Sequence, residues 1–159
     1  MLEITQPPGD MSIPAVPDLV LYQDLLGGTR FNANHGGGDF WGTTQKGGVY
    51  PAAPNFALSS KVATPHHLRS FAFSMAQWQS VLDEAIDGSF SFDGLEIFRK
   101  EITTPTIRSA LRNLWGLCED EGAPSRLLAR AAGCEILAEL CRLGGAPFTP
   151  AKGGLSPLA

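Results

Sequence analysis

No run of basic residues occurs anywhere in this 159-residue chain, and its formal net charge is −4. Nucleic-acid-binding domains carry a Lys/Arg-rich face, so these residues on their own are not expected to hold DNA or RNA. No window is apolar enough to cross a bilayer. Where a signal peptide would place a basic segment and an apolar run, the N-terminus has prolines and acids. The expected location is therefore cytoplasmic, with no membrane partner. Cysteines are few and odd in number, three in all. Two of them, Cys134 and Cys141, fall on one helix face, so buried thiols in a reducing compartment explain them better than disulfides do.

Catalytic constellations are equally scarce. The histidines are His35, in a glycine turn, and the adjacent pair His66-His67. Consecutive residues on a strand point to opposite faces, which discourages joint chelation. Ser59-Ser60 sits in no Gly-x-Ser-x-Gly elbow. Gly36-Gly37-Gly38 is followed by Asp39, Phe40 and Trp41, which fails the dinucleotide fingerprint and reads as a turn. Asp83, Glu84 and Asp87 read as a solvated helix face. No catalytic residue, metal ligand or cofactor is assigned, and the chain is not expected to be an enzyme.

Glycine and proline, by contrast, are plentiful: 18 and 12 residues, concentrated before residue 66 and after residue 143. A turn-rich first half thus precedes a helical second half. Residues 1–12 read as a loose arm. Short strands are expected over 18–26, 29–33, 39–44, 49–53, 56–63 and 68–73, with Gly27-Gly28 as a hairpin turn. In the last of these, Leu68, Ser70 and Ala72 alternate with Arg69, Phe71 and Phe73. Such closely spaced strands indicate a small β-barrel or sandwich. A short helix over 75–86 follows Ser74, and 95–102 reads as one more strand.

The most strongly patterned stretch is 104–143. Thr104-Pro105 is an N-cap followed by proline at the first helical position. Ile107, Ala110, Leu111, Leu114 and Cys118 mark one apolar face, and Gly122 is a left-handed stop. Ser125 is a candidate N-cap for a second helix. That helix carries two apolar rows, Leu127/Ala131/Cys134/Ala138/Cys141 and Leu128/Ala132/Ile136/Leu140/Leu143, more than a narrow stripe. The short connection implies an antiparallel pair. Two readings of the second row are open: core packing within one chain, or a homodimer interface formed by Leu128, Ile136, Leu140 and Leu143.

The aromatic residues Tyr22, Phe31, Phe40, Trp41, Tyr50, Phe56, Phe71 and Phe73 all fall in the β-rich half. An aromatic barrel interior with few polar groups suits an uncharged or planar organic ligand; a packed core is the alternative. The candidate ligand-binding residues are Tyr22, Phe31, Trp41, Tyr50, Phe56, Phe71 and Phe73.

Several local patterns resemble the N-terminal effector domain of AraC-type transcriptional regulators, of the cupin-like barrel class. Asp18-Leu19-Val20-Leu21 after Pro14-Ala15-Val16-Pro17 looks like that family's first barrel strand after its arm. Lys46-Gly47-Gly48-Val49-Tyr50-Pro51-Ala52 resembles its turn-and-strand. Residues 125–130 and 140–142 resemble its last helix, and Gly153-Gly154-Leu155-Ser156-Pro157 its linker toward a DNA-reading domain. The resemblance implies an α+β fold: a cupin-like barrel over 1–103, an antiparallel helix pair over 104–143 as the dimerising element, and a linker over 144–159. It further implies a ligand-sensing and dimerising module, meeting DNA only through a helix-turn-helix domain absent from these residues. The metal histidines and glutamate of enzymatic cupins have no counterpart. A cupin-type enzyme and a filled-barrel dimerisation module are the rival readings.

Overall fold

A computed structural model describes residues 1–88, 90–120 and 123–149, with the backbone alone for Ala123 and Pro124. Among these residues, eight strands form two antiparallel sheets of four, and three α-helices follow. The strands are β1 (Leu2–Gln6), β2 (Gly9–Asp10), β3 (Asp18–Asp24), β4 (Arg30–Asn34), β5 (Asp39–Thr43), β6 (Val49–Ala52), β7 (Ser59–Val62) and β8 (His66–Ser74). One sheet runs β1-β8-β3-β6 and the other β2-β7-β4-β5. The fold is thus mixed α+β, and among the described residues the sheets do not join into a closed barrel.

The first sheet is the middle layer. Along β3, Leu19 and Leu21 join the main core, while Val20 and Tyr22 pack in a separate cluster with Ala52 and Leu58. Along β8, Phe71 and Phe73 go to the main core, whereas His66, Leu68 and Ser70 line a cavity between the sheets. Period-2 alternation therefore puts large apolar side chains on both faces, as a sheet covered on both sides requires. The second sheet has one covered face. In β4 and β5, Ala33 and Phe40 are buried while their chain neighbours Asn32 and Trp41 are exposed.

The helices are α1 (Met75–Ala85), α2 (Pro105–Cys118) and α3 (Ala123–Leu143). Thr104 caps α2 by accepting the Ile107 N–H at 3.2 Å, with proline at the first helical position, as the sequence pattern demands. The buried face of α2 is Ile107, Ala110 and Leu111. On α3 the fully or nearly fully buried residues include Ile136, Leu137, Leu140 and Cys141. These share one core with Leu19, Leu21, Phe71 and Phe73 of the first sheet. Gly133 allows the close approach: a Cβ there would lie 2.7 Å from the Trp78 ring.

Several expectations change. Residues 1–12 are not a loose arm, because β1 pairs with β8 from Leu2↔Ser70 to Gln6↔His66, and β2 pairs with β7. Gly27-Gly28 does not make a hairpin; it carries the chain from β3 in one sheet to β4 in the other. The strand expected over 95–102 is a single 3-10 turn, Glu96–Arg99. Its alternation lacks a clean apolar face, and Ile97 and Phe98 enter the core side by side. Helix α3 begins before Ser125, whose hydroxyl instead donates to the Asp120 carbonyl at 2.9 Å. Cys118 is exposed. After α3 the chain doubles back, with Thr149 N–H donating to Ala85 O at 2.9 Å and Ile86 bridging to Phe148. The stop at Gly122 and the linker motif 153–157 lie outside the described residues.

The row Leu128, Ile136, Leu140 and Leu143 is divided. Ile136 and Leu140 are 0% exposed, Leu143 is half-buried against the same core, and Leu128 is 54% exposed. Core packing within one chain therefore accounts for Ile136 and Leu140. An unpaired buried charge costs about as much as a small domain's whole stability, so Leu140→Asp should unfold the protein. Leu140→Ala should cost about 2–5 kcal/mol, and Leu128→Asp should leave folding intact. Urea titration followed by circular dichroism checks all three.

Candidate functional site

Between the two sheets lies a half-open cavity of about 300 Å³, within the size range of small-molecule sites. Its walls come from β1 (Leu2, Ile4, Gln6), β3 (Tyr22, Asp24), β6 (Tyr50) and β8 (His66, Leu68, Ser70) on one side. Phe31, His35, Leu58, Ser60 and Val62 contribute from the other. Met11 and Ile13 also reach it, so the N-terminal segment is part of the wall.

The aromatic residues form a connected group. Phe31 meets Phe40 and Tyr50 edge-on, each at 5.3 Å between ring centroids, and Phe40 stacks on Tyr50 at 6.4 Å. His35 lies edge-on to Phe40 at 5.3 Å and tilted to Tyr22 at 5.9 Å. No hydrogen bond holds either tyrosine hydroxyl among the described residues. Burial pushes the Tyr50 phenol up to about 12, with the carboxylates of Glu101 and Asp24 adding to the shift. Burial also raises Tyr22. Both stay protonated at neutral pH and can donate.

Asp24 is the acidic residue of the wall and is 7% exposed. One carboxylate oxygen accepts the Leu26 N–H at 2.9 Å and the Gly27 N–H; the other accepts the Thr44 hydroxyl at 3.0 Å. Thr44 Oγ1 in turn accepts the Thr29 N–H at 3.0 Å. The local sequence permits this because Gly27 sits at φ +77°, and a Cβ there would lie 2.7 Å from the Lys46 nitrogen.

Of the expected ligand-binding residues, Tyr22, Phe31 and Tyr50 line the cavity. Phe71 and Phe73 lie on the opposite face of β8, where Phe71 meets Trp115 and Phe73 meets Trp78. Trp41 is 78% exposed, because alternation along β5 turns Phe40 inward and Trp41 out. Phe56 stands at the edge of exposure in the loop after β6. Aromatic content gives no signal for Asp24 and Thr44, and His35 and His66, weighed above only as metal ligands, are likewise buried polar side chains of the wall. The period-2 register of β3, which puts Asp24 on the Tyr22 face, was the signal that could have found Asp24. His66 is bonded to Gln6 at 3.0 Å, while Thr29 Oγ1 and the Nδ1 atoms of His35 and His66 are buried without a partner among the described residues. No group of three or more His, Cys, Asp or Glu residues able to hold a metal occurs among the described residues.

No protein-family model matches the chain, and no curated protein matches it.

Burial lowers His35 to about 4, offset in part by the Pro51 carbonyl. In the unfolded chain this imidazole protonates near its ordinary value of 6.5. Between those limits the unfolded state binds the extra proton, so stability falls as pH drops from about 6.5 toward 4. The full effect is on the order of 3 kcal/mol. Urea unfolding of wild type and His35→Phe at pH 7 and pH 4.5 should show the variant losing less stability on acidification.

Proposed function

We propose that this chain is the ligand-sensing and dimerising part of an AraC-type transcription regulator, with a cupin-like arrangement of its two sheets. In this reading, contact with DNA belongs to a helix-turn-helix domain outside these residues. The observation that carries the reading is the cavity of about 300 Å³ between the sheets, apolar for the most part and crossed by a few buried polar groups. A module that only dimerised would have no use for that space, and interiors normally close-pack.

A route from ligand to helices is also at hand. The sheet that forms one wall of the cavity carries α2 and α3 on its other face through Leu19, Leu21, Phe71 and Phe73. A ligand that prefers one position of this sheet shifts the population of helix arrangements, and with it the spacing of two attached DNA-binding domains. The homodimer forms through the outward side of α3, where Leu127 is 74% exposed and Leu128 and Ala131 lie beside it.

A thermal-shift screen of small organic molecules should yield a compound that raises Tm, since binding to the native state stabilises it by mass action. Ser70→Phe, which fills the cavity, should abolish the shift, Tyr50→Ala should weaken it, and Trp41→Ala should leave it unchanged. A hit indifferent to Ser70→Phe binds elsewhere and counts against the reading. For assembly, light scattering should report a dimer that the double change Leu127→Glu, Leu128→Glu converts to a folded monomer. A wild type that stays monomeric at high concentration would remove the dimer from the proposal.

A further inference from the structure

The electrostatics of the cavity narrow the kind of molecule it accepts. Among the described residues that line it, Asp24 is the one acid, and no lysine or arginine is present. His66 of β8 is in the wall and is bonded to Gln6, whereas the lysine and arginine side chains of the surrounding strands are directed away. Arg30 and Lys61 are exposed, and Arg69 lies over the Trp115 ring at 4.0 Å on the far face of the sheet. His35 does not supply a positive charge at neutral pH, because burial holds it near 4. The Asp24 carboxylate has three hydrogen-bond donors but no ion pair among the described residues. Its geometry is satisfied while its charge is not, and a charge buried without a counter-charge is costly.

The rings of Tyr50, Phe31 and Tyr22 line the same cavity, and their faces carry the negative side of the aromatic quadrupole. The Asp24 charge is close enough to Tyr50 to oppose ionisation of its phenol. A carboxylate and several aromatic faces around one largely apolar cavity attract a cation and repel an anion. We propose that the cavity takes a small organic ammonium ion with an apolar body, its charge set against Asp24 and the Tyr50 and Phe31 rings. This inference rests on the sensor reading above and specifies its ligand class.

The competing account is that Asp24 serves only to hold the β3–β4 turn, through Leu26 and Gly27. The two accounts differ in what Asp24 does to selectivity. Three probes of similar shape separate them: benzyltrimethylammonium, its uncharged isostere neopentylbenzene, and the anion phenylacetate. In calorimetric titration of the full chain, the ammonium should bind at least about tenfold more tightly than the isostere, and phenylacetate should not bind.

Asp24→Asn keeps an acceptor for the turn and should bring the ammonium down to the affinity of the isostere, leaving the isostere unchanged. Equal loss for both compounds means a role in the turn alone and overturns the inference. Should Asp24→Asn fail to fold by circular dichroism, Phe31→Leu serves instead. It keeps apolar volume, removes a ring face, and should weaken the ammonium several-fold more than the isostere. Equal or tighter binding of the isostere, or preference for phenylacetate, overturns the cation but leaves the sensor reading intact. Binding of none of the three also overturns the cation, while the sensor reading then stands or falls on the wider screen.

Discussion

The constraint on which the rest depends is the Asp24 carboxylate at the end of β3. It binds the Leu26 and Gly27 N–H groups and the Thr44 hydroxyl, and Thr44 passes the connection to the Thr29 N–H. Main-chain bonds complete the junction: Asp24 exchanges hydrogen bonds with Gly47 and Gly48, and Gly28 and Thr29 do so with Thr44. Four chain segments from two sheets meet at this point. One buried acid thus sets where β4 departs from the first sheet and how far apart the sheets stand at that end. Hydrogen bonds to a charged group are among the stronger ones available, so the junction holds without a closed ring of strands.

Given that junction, the first sheet has to serve two environments. Leu19, Leu21, Val49, Phe71 and Phe73 on one face form a single core with Ile107, Leu111, Ile136 and Leu140 of the helices. Tyr22, Tyr50, His66 and Ser70 on the other look into the space between the sheets. Its edges are attended to as well. The Val49 end of β6 is closed by Ile102 N–H donating to Val49 O and by the Thr103 hydroxyl accepting from Val49 N–H, both at 2.9 Å. The sheet is therefore a single layer between cavity and helices, so a shift of its backbone on the cavity side bears directly on the helix contacts. This is the physical basis for coupling a ligand to assembly in the proposed sensor.

The helices and most strands were legible in sequence because their signals are local. Thr104-Pro105 announces α2 through cap chemistry, and the spacing of Ile107, Ala110 and Leu111 names its buried face. The alternation of Leu68 and Ser70 against Arg69, Phe71 and Phe73 is kept in β8, with the two sets on opposite faces. The N-terminal strand was not legible. Leu2–Gln6 has weak intrinsic preference and becomes a strand only because β8 offers it a pairing edge with Glu3 beside His67 and Arg69. The segment 95–102 failed for another reason: it lies beside the edge of β6, but its neighbours Ile97 and Phe98 are both buried, which a 3-10 turn allows and strand alternation does not.

The sequence alone determined which residues are apolar, how they are spaced, and where glycine lets the chain turn. That was enough for an α+β chain with an aromatic, charge-poor β half and a helix pair. Tertiary structure decided which face each strand turns toward the cavity, and so which aromatic residues line it. Phe31 and Phe71 are alike as residues, yet one lines the cavity and the other packs on Trp115. The division depends on the layer each strand joins, and that is set by long-range pairing with strands dozens of residues away. Likewise, two apolar rows on α3 are a local property. That Ile136 and Leu140 meet the sheet while Leu127 and Leu128 meet solvent follows from how α3 is rotated against α2 and β8, and no spacing within one helix can specify that rotation.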